Sequence, residues 1–341
     1  MEFYNEENVH RTFSKKKERK SMYTIGVDLG GTNIAIGLCD DELHILEKGS
    51  VPTRPDRDGE EIVRDMAALA EKLIKKHGLD VEDIAYVGIA TPGSANAVSG
   101  VVEYANNLPF FNFPIAKIFK QYLPVKEVLI ANDANAAALA EALIGSAKGT
   151  KNSLMITLGT GVGGGVILDG KIYDGGVNCA GAELGHTVIV AGGRQCSCGR
   201  RGCFEAYASA TALTEMTREA MTELKLKGIP SLLFDCAEAE GRVSARTAFD
   251  AMKRGDAHAK KIVDDYIFYL AEGVTNMINI FQPEVLSIGG GICNEKENLT
   301  VPLIKRVERD QYTRDNPHKT RIVIAALKND AGIIGAAGLG K

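Results

Sequence analysis

The sequence has no tryptophan and only seven cysteines among its 341 residues. Seven cysteines are too few for a disulfide scaffold and are odd in number, so we expect a reducing, cytoplasmic compartment. Long apolar runs are missing too: the uncharged stretch 152–168 contains five glycines and is shorter than the about 20 apolar residues of a membrane helix. The N-terminus lacks the apolar core of a signal peptide. We therefore expect neither membrane insertion nor secretion.

A strong charge bias is also absent. The 40 basic and 44 acidic side chains give a net charge of −4, which provides no overall attraction to nucleic acid or to an anionic membrane. The exception is the segment 1–21, where several lysines and arginines lie close together. We interpret it as a disordered tail or an expression remnant, with a nucleic-acid-binding arm as the alternative.

Glycine, by contrast, is abundant: there are 37, where about 24 would be usual for this length. The glycines fall between short apolar runs, and a strand, glycine turn, strand pattern near residue 23 restarts near residue 154. Together with the length, this predicts a duplicated α/β fold of two domains with a cleft between them. We expect a small N-terminal domain at 22–132 and a larger one at 133–341, whose last helix (about 330–341) packs back toward the first.

The glycine-rich segment 159–164 matches the G-x-G-x-x-G pattern of dinucleotide-binding proteins. That pattern requires a helix directly after the glycines, whereas Gly165 leads into an apolar β run, so we reject this interpretation. The segment 165–172 nearly matches a P-loop but places Ile172 where a hydroxyl must hold magnesium, so we reject it as well.

The remaining candidates for phosphate binding are glycine turns inside β-hairpins, at 28–33 and 158–165. Such turns expose backbone N–H groups that can converge on phosphate oxygens, although a single one could be only a tight turn. Asp28 beside the first turn could orient Mg²⁺, directly or through water. Gly289–Gly291, after another predicted strand, would flank a nucleoside.

A cysteine-bearing loop supplies candidate metal ligands. His186, Cys196, Cys198 and Cys203 offer one imidazole and three thiolates within 18 residues, a set that suits a closed, structural Zn²⁺ site. Free loop cysteines are the alternative. Two carboxylates bracket this loop, Glu183 and Glu205, and a metal would fix both at one pocket, where they could accept hydrogen bonds from sugar hydroxyls.

Asn132 and Asp133 stand where a predicted strand gives way to an alanine-rich helix. Both residue types are favoured helix N-caps, which is one explanation of the pair. The other is catalytic: a carboxylate at the carboxyl end of a strand would face the cleft and could accept a proton from an attacking hydroxyl.

Several motifs together resemble the ROK family of sugar kinases and repressors. They are DLGGTN at 28–33, ANNL at 105–108, NDAN at 132–135, LGTGVGGG at 158–165, GAELGH at 181–186 and CSCGRRGCFE at 196–205. The resemblance runs from about Tyr23 to the C-terminus. It implies an actin/hexokinase-like (ribonuclease H-like) fold whose two domains close over ATP and a hexose.

Within the family, the sequence is most similar to enzymes that phosphorylate glucose at its 6-hydroxyl. The resemblance assigns Asp133 as general base and assigns the zinc ligands named above. The implied sugar contacts are Gly93, Asn107, Asn132, Asp133, Glu183, His186 and Glu205. The implied contacts to ATP and its Mg²⁺ are Asp28, Gly30, Gly31, Thr32, Asn33, Thr160, Gly161, Gly290 and Gly291.

The alternatives within the family are kinases of mannose, fructose, N-acetylglucosamine or N-acetylmannosamine, and a sugar-responsive regulator. Family kinases of N-acetylmannosamine tend to carry arginine where Ser94 stands, which favours an unsubstituted hexose. Family repressors carry an N-terminal helix-turn-helix domain, for which 21 residues before the first predicted strand are too few. The resemblance also implies a homodimer or higher homo-oligomer; a non-catalytic sugar-binding protein is the remaining alternative.

Overall fold

The computed structural model describes residues 22–176 and 179–341, so the predicted tail at 1–21 lies outside the described residues. The strands are β1 (Tyr23–Leu29), β2 (Asn33–Cys39), β3 (Ile45–Pro52), β4 (Ile84–Thr91), β5 (Ser94–Asn96), β6 (Val101–Tyr104), β7 (Phe111–Phe113), β8 (Val128–Asn132), β9 (Ser153–Leu158), β10 (Val162–Leu168), β11 (Lys171–Ile172), β12 (Val285–Gly289) and β13 (Arg321–Ile324). The helices are α1 (Gly59–Lys76), α2 (Ile115–Tyr122), α3 (Asp133–Leu143), α4 (Glu205–Ala208), α5 (Ala210–Leu226), α6 (Leu232–Glu240), α7 (Ala245–Lys253), α8 (Ala257–Phe281), α9 (Glu297–Asp310) and α10 (Ala331–Ala337).

Two five-stranded sheets share one topology. The first has the order β3-β2-β1-β4-β8 and the second the order β11-β10-β9-β12-β13. In each sheet the first strand of the hairpin pairs antiparallel with the second and parallel with a later strand, as β1 does with β2 and β4. The duplication expected from the repeated strand, glycine turn, strand pattern is thus present, and the mixed α/β class is confirmed.

Two short helices, α3 and α10, pack between these sheets. They cross where a Cβ on Gly335 would collide with the carbonyl oxygen of Ala136, so the two backbones touch. α10 lies equally close to the first sheet, because side chains on Gly26 of β1 or Gly88 of β4 would collide with its carbonyl oxygens. Glycine is required at these close approaches because any side chain would push the elements apart.

The second glycine turn is shorter than the sequence predicted. The sequence predicts a turn at 158–165, but β10 already begins at Val162, so Gly163 to Gly165 lie inside a strand. The reason is packing: a Cβ on Gly164 would lie 2.7 Å from the side chain of Leu184, and one on Gly165 would lie 2.5 Å from Ala138 of α3. Gly165 therefore lets α3 approach the sheet, and Gly164 makes room for Leu184.

The sequence predicts a mostly helical segment at 208–280, and helices dominate the chain after residue 205. Five helices, α4 to α8, cover the second sheet with a core that includes Phe204, Phe249 and Tyr266. A separate core beneath the first sheet is closed by α1 and α2. Among the residues that the structure describes, no helix is long and apolar enough to cross a membrane.

Candidate active site

The first glycine turn is held in place by the end of β3. Gly30 donates its N–H to the carbonyl of Asn33 at 3.0 Å, which closes the turn. The buried Thr53 donates its hydroxyl to the Gly30 carbonyl at 2.7 Å and its N–H to the Thr32 carbonyl at 2.9 Å. These bonds fix the turn, in which Thr32 and Asn33 are exposed. The side chain of Asn107 lies directly over Gly31, so the structure brings this predicted sugar contact to the turn.

Asp28, near the end of β1, lies against Gly332 at the start of α10. Burial and, to a smaller extent, the negative charge of Asp133 raise the pKa of its carboxyl to about 6. This electrostatic coupling places the predicted magnesium-orienting carboxylate and the predicted base in the same part of the cleft.

Asp133 is the first residue of α3, and Asn132 before it is the N-cap. The Asn132 side-chain oxygen accepts from the N–H groups of Ala134 at 2.9 Å and Asn135 at 3.2 Å, while its amide donates to the Gly93 carbonyl at 3.1 Å. The capping interpretation of Asn132 is therefore correct, and the cap also ties the helix to the loop that follows β4.

The Asp133 carboxylate is open to the cleft, with one oxygen accepting from the Ala134 N–H at 2.8 Å. Protein atoms nevertheless surround it, and the resulting desolvation raises its pKa above the usual range of an aspartate. A raised pKa makes the carboxylate a stronger base, which suits a proton acceptor.

Glu183 and Glu205 complete the acidic cluster. Burial raises the pKa of Glu183; His186 lowers it, while the charges of Asp133 and Glu205 raise it. Glu205 makes two bonds that the sequence did not predict: one oxygen accepts from the Val162 N–H at 3.0 Å and the other from the Ser197 hydroxyl at 3.0 Å. Glu205 thus joins the cysteine loop to the second glycine turn.

The remaining predicted nucleotide contacts lie around the ends of β9 and β12. Gly159 donates to the Gly161 carbonyl at 3.0 Å and accepts from the first N–H of α5 at 2.8 Å, while Thr160 between them is exposed. Gly290 packs on the carbonyl of Leu158 with a φ of +95°, and a side chain on Gly291 would meet open space. The chain therefore leaves room beside Gly291.

The four predicted zinc ligands come together. One ligand atom from each of His186, Cys196, Cys198 and Cys203 lies within 4.8 Å of all the others. The Cys198 and Cys203 sulfurs are 3.7 Å apart, and the Cys196 sulfur is 3.7 Å from Nδ1 of His186. Zinc–sulfur bonds of about 2.3 Å in a tetrahedron separate two sulfurs by about 3.8 Å. The donor set and its spacing therefore fit Zn²⁺.

The structure has two sheets of one topology around a central helix pair, and carboxylates lie between two glycine turns. This arrangement defines the actin/hexokinase-like class of proteins. The ROK family model matches residues 24–341, and this chain belongs to that family, as the sequence motifs indicated. A glucokinase of Thermotoga maritima is 37% identical over 316 residues, covering 92% of this chain and 96% of that protein. A glucokinase of Halalkalibacterium halodurans is 35% identical over 318 residues, covering 93% and 94%.

A solved structure of a ROK family protein has the same fold as this chain. The crystal structure of a ROK family glucokinase from Streptomyces griseus in complex with glucose and AMPPNP superposes with a TM-score of 0.75 at 31% identity. The match covers 93% of this chain and 98% of that chain. The fold expected from the sequence, actin/hexokinase-like with two sheets, is confirmed.

Proposed function

We propose that this protein is a glucokinase that transfers the γ-phosphoryl group of MgATP to the 6-hydroxyl of glucose. The observation that carries the proposal is the cluster of Asp133, Glu183 and Glu205 between the two glycine turns. The glucokinase names of the two relatives, and the glucose and ATP analogue bound to the third, support the choice of sugar and phosphate donor.

The proposed mechanism begins with the sugar. Glucose presents several hydroxyls, and Glu183, Glu205, His186, Asn107, Asn132 and the Gly93 segment would hold them. Asp133 accepts the proton of the 6-hydroxyl as its oxygen attacks the γ-phosphorus in line. The proton ends on a carboxylate whose pKa desolvation has raised, so it is a better acceptor than an exposed aspartate. Holding both substrates in one geometry supplies much of the acceleration.

The two glycine turns would bind the phosphates. Backbone N–H groups at Gly30, Gly31, Thr32 and Gly161 would stabilise the charge that develops on the transferred group, with Asn33 and Thr160 beside them. Asp28 would orient the Mg²⁺ of MgATP, and the nucleoside would lie beside Gly290 in the open space at Gly291. Closure of the cleft would exclude water and limit futile ATP hydrolysis.

The cysteine loop would hold a structural Zn²⁺ through His186, Cys196, Cys198 and Cys203. A closed four-ligand site leaves no open position, so the metal would supply shape and not a reactive water. Its contribution follows from sequence positions: His186 lies three residues after Glu183, and Cys203 two residues before Glu205. The metal would therefore fix both carboxylates that face the sugar.

The homo-oligomer implied by the resemblance stays a prediction.

The test of the proposal is ADP release with MgATP against glucose, mannose, fructose, N-acetylglucosamine and N-acetylmannosamine. We expect glucose to give the highest kcat/KM. A higher value for an N-acetylated sugar would keep the kinase and overturn the glucose preference that Ser94 suggested. Absence of turnover with every sugar in zinc-replete protein would contradict the kinase, and a DNA mobility shift would then test the regulator.

The pKa of Asp28 makes a second prediction, on the pH profile. As pH falls through about 6 the Asp28 carboxylate of the free enzyme becomes protonated and loses the charge that orients Mg²⁺. We expect kcat/KM for MgATP to fall below that pH, since this ratio reports groups of the enzyme before MgATP binds. The measurement is a pH series at saturating glucose, with thermal unfolding at each pH as the control for folding. A profile that stays flat down to about pH 5 would show an aspartate with an ordinary pKa.

A further inference from the structure

A buried carboxylate lies at the opposite end of α3 from Asp133. Glu141 is only 1% exposed and follows the apolar run 136–140 of this helix. One of its oxygens accepts from both the N–H and the hydroxyl of Ser146, each at 2.6 Å, and the other accepts from the Leu327 N–H at 2.8 Å. A buried charge is tolerated only when such bonds replace its hydration, so this geometry is tightly specified.

These bonds join three parts of the chain that are distant in sequence. Ser146 lies in the connection from α3 to β9, and its hydroxyl also pairs with that of the fully buried Ser287 in β12 at 2.7 Å. Leu327 lies in the segment that leads from β13 into α10. Glu141 therefore fixes the end of α3 to the second sheet and to the entry of α10 at once.

Each helix is linked to a carboxylate of the cleft: Asp133 belongs to α3, and Asp28 of β1 lies against α10. Asp133 begins α3, about 12 Å along the helix from Glu141. Asp28 lies against Gly332 of α10, which follows Leu327 after one short 3-10 turn. Since the backbones of α3 and α10 touch at Ala136, a shift at Glu141 moves one helix along the other. The separation of Asp133 from Asp28 changes with it.

We propose that Glu141 is a positioning residue for phosphoryl transfer: its hydrogen bonds from Ser146 and Leu327 hold Asp133 in place relative to the phosphate side of the cleft. The inference deepens the proposed function and rests on it. Glu141 touches no substrate in this scheme; it acts through the orientation of α3.

The test is Glu141→Gln, which keeps the side-chain volume but offers one acceptor oxygen and an amide nitrogen that must face an N–H donor. We expect kcat per folded molecule to fall by about 10- to 100-fold, as small misplacements of a reacting group can do. The KM for glucose should stay within about twofold, because most of the sugar contacts lie on other elements. A lower Tm is also expected, but stability alone would not reduce kcat at a temperature where the protein is folded.

Asp256→Asn is the matched control. Asp256 is 9% exposed and likewise accepts from three donors: the Ser231 hydroxyl at 2.7 Å, the Leu232 N–H at 2.7 Å and the Ala259 N–H at 2.8 Å. It joins the ends of α6 and α8, outside the cleft, so its loss should lower Tm and leave kcat unchanged. If Glu141→Gln kept the same kcat as Asp256→Asn, Glu141 would contribute to stability alone.

A milder variant keeps the test decisive if Glu141→Gln does not fold. Ser146→Ala removes one donor of three and leaves the carboxylate in place, so we expect a loss of kcat in the same direction, about threefold. Unchanged kcat in Ser146→Ala would then overturn the positioning role. The two proposals fail differently: a wild-type chain without sugar-dependent ADP release contradicts the glucokinase, whereas an active wild type with unaffected variants contradicts only the role of Glu141.

Discussion

Replacing Asp133 with asparagine should reduce kcat by about 10² to 10⁴, the range for loss of a general base. Asparagine has nearly the same shape, and its oxygen can still accept from the Ala134 N–H, so the start of α3 is preserved. What is lost is the charge and the basicity. We therefore expect the KM for glucose to change little while turnover collapses, measured as ADP release at saturating MgATP.

The matched control is Asp264→Asn, which removes one exposed ion pair with Lys260 on α8 and should leave turnover intact. If Asp133→Asn turned over at near the wild-type rate, another group would have to accept the proton, and the proposed mechanism would be wrong.

Loss of the metal site should have the second largest effect. We expect about one equivalent of zinc per chain by elemental analysis of protein purified without added metal. Cys203→Ser should not retain that metal. Its activity should fall by about 10- to 100-fold, the range seen when a metal environment is disturbed. The physical reason is that Glu205 and Glu183 are placed by the loop that the metal closes.

The control for this experiment is Cys236→Ser, a thiol outside the cluster that contacts Arg254 on the helical side of the protein. It should keep both metal and activity. Metal-free protein with full activity and unchanged Tm would reject a required zinc site. Loss of metal or activity in Cys236→Ser would point to a general effect of cysteine substitution.

Much of the framework follows from local sequence signals. Strands β1, β4, β8 and β12 are short, mostly apolar runs because both of their faces are largely buried, so the sequence alone predicts strands there. Helical spacing up to His77 followed by Gly78 likewise predicts where α1 ends, since that glycine adopts the left-handed φ of +66° that terminates a helix. Such features depend on neighbours in sequence.

What escaped prediction depends on neighbours in space. The three short strands β5 to β7 carry no clear alternation and exist through pairing with one another. The bonds from Glu205 to Val162 and Ser197 join segments that no pattern connects. Glu141 did offer a signal, because one acidic residue in the apolar run of α3 must be either exposed or specifically bonded. Only the fold reveals that Leu327 is one of its hydrogen-bond partners.

The contact between α3 and α10 has a consequence for ligand selection. Because backbone meets backbone at Gly335, and again where α10 meets Gly26 and Gly88, the spacing between the two sheets is set by the thickness of bare main chain and not by side-chain volume. The separation of the two sheets at the base of the cleft therefore depends on glycines that are not among the predicted ligand contacts. A larger residue at any of them would push the sheets apart without changing a side chain that lines the site.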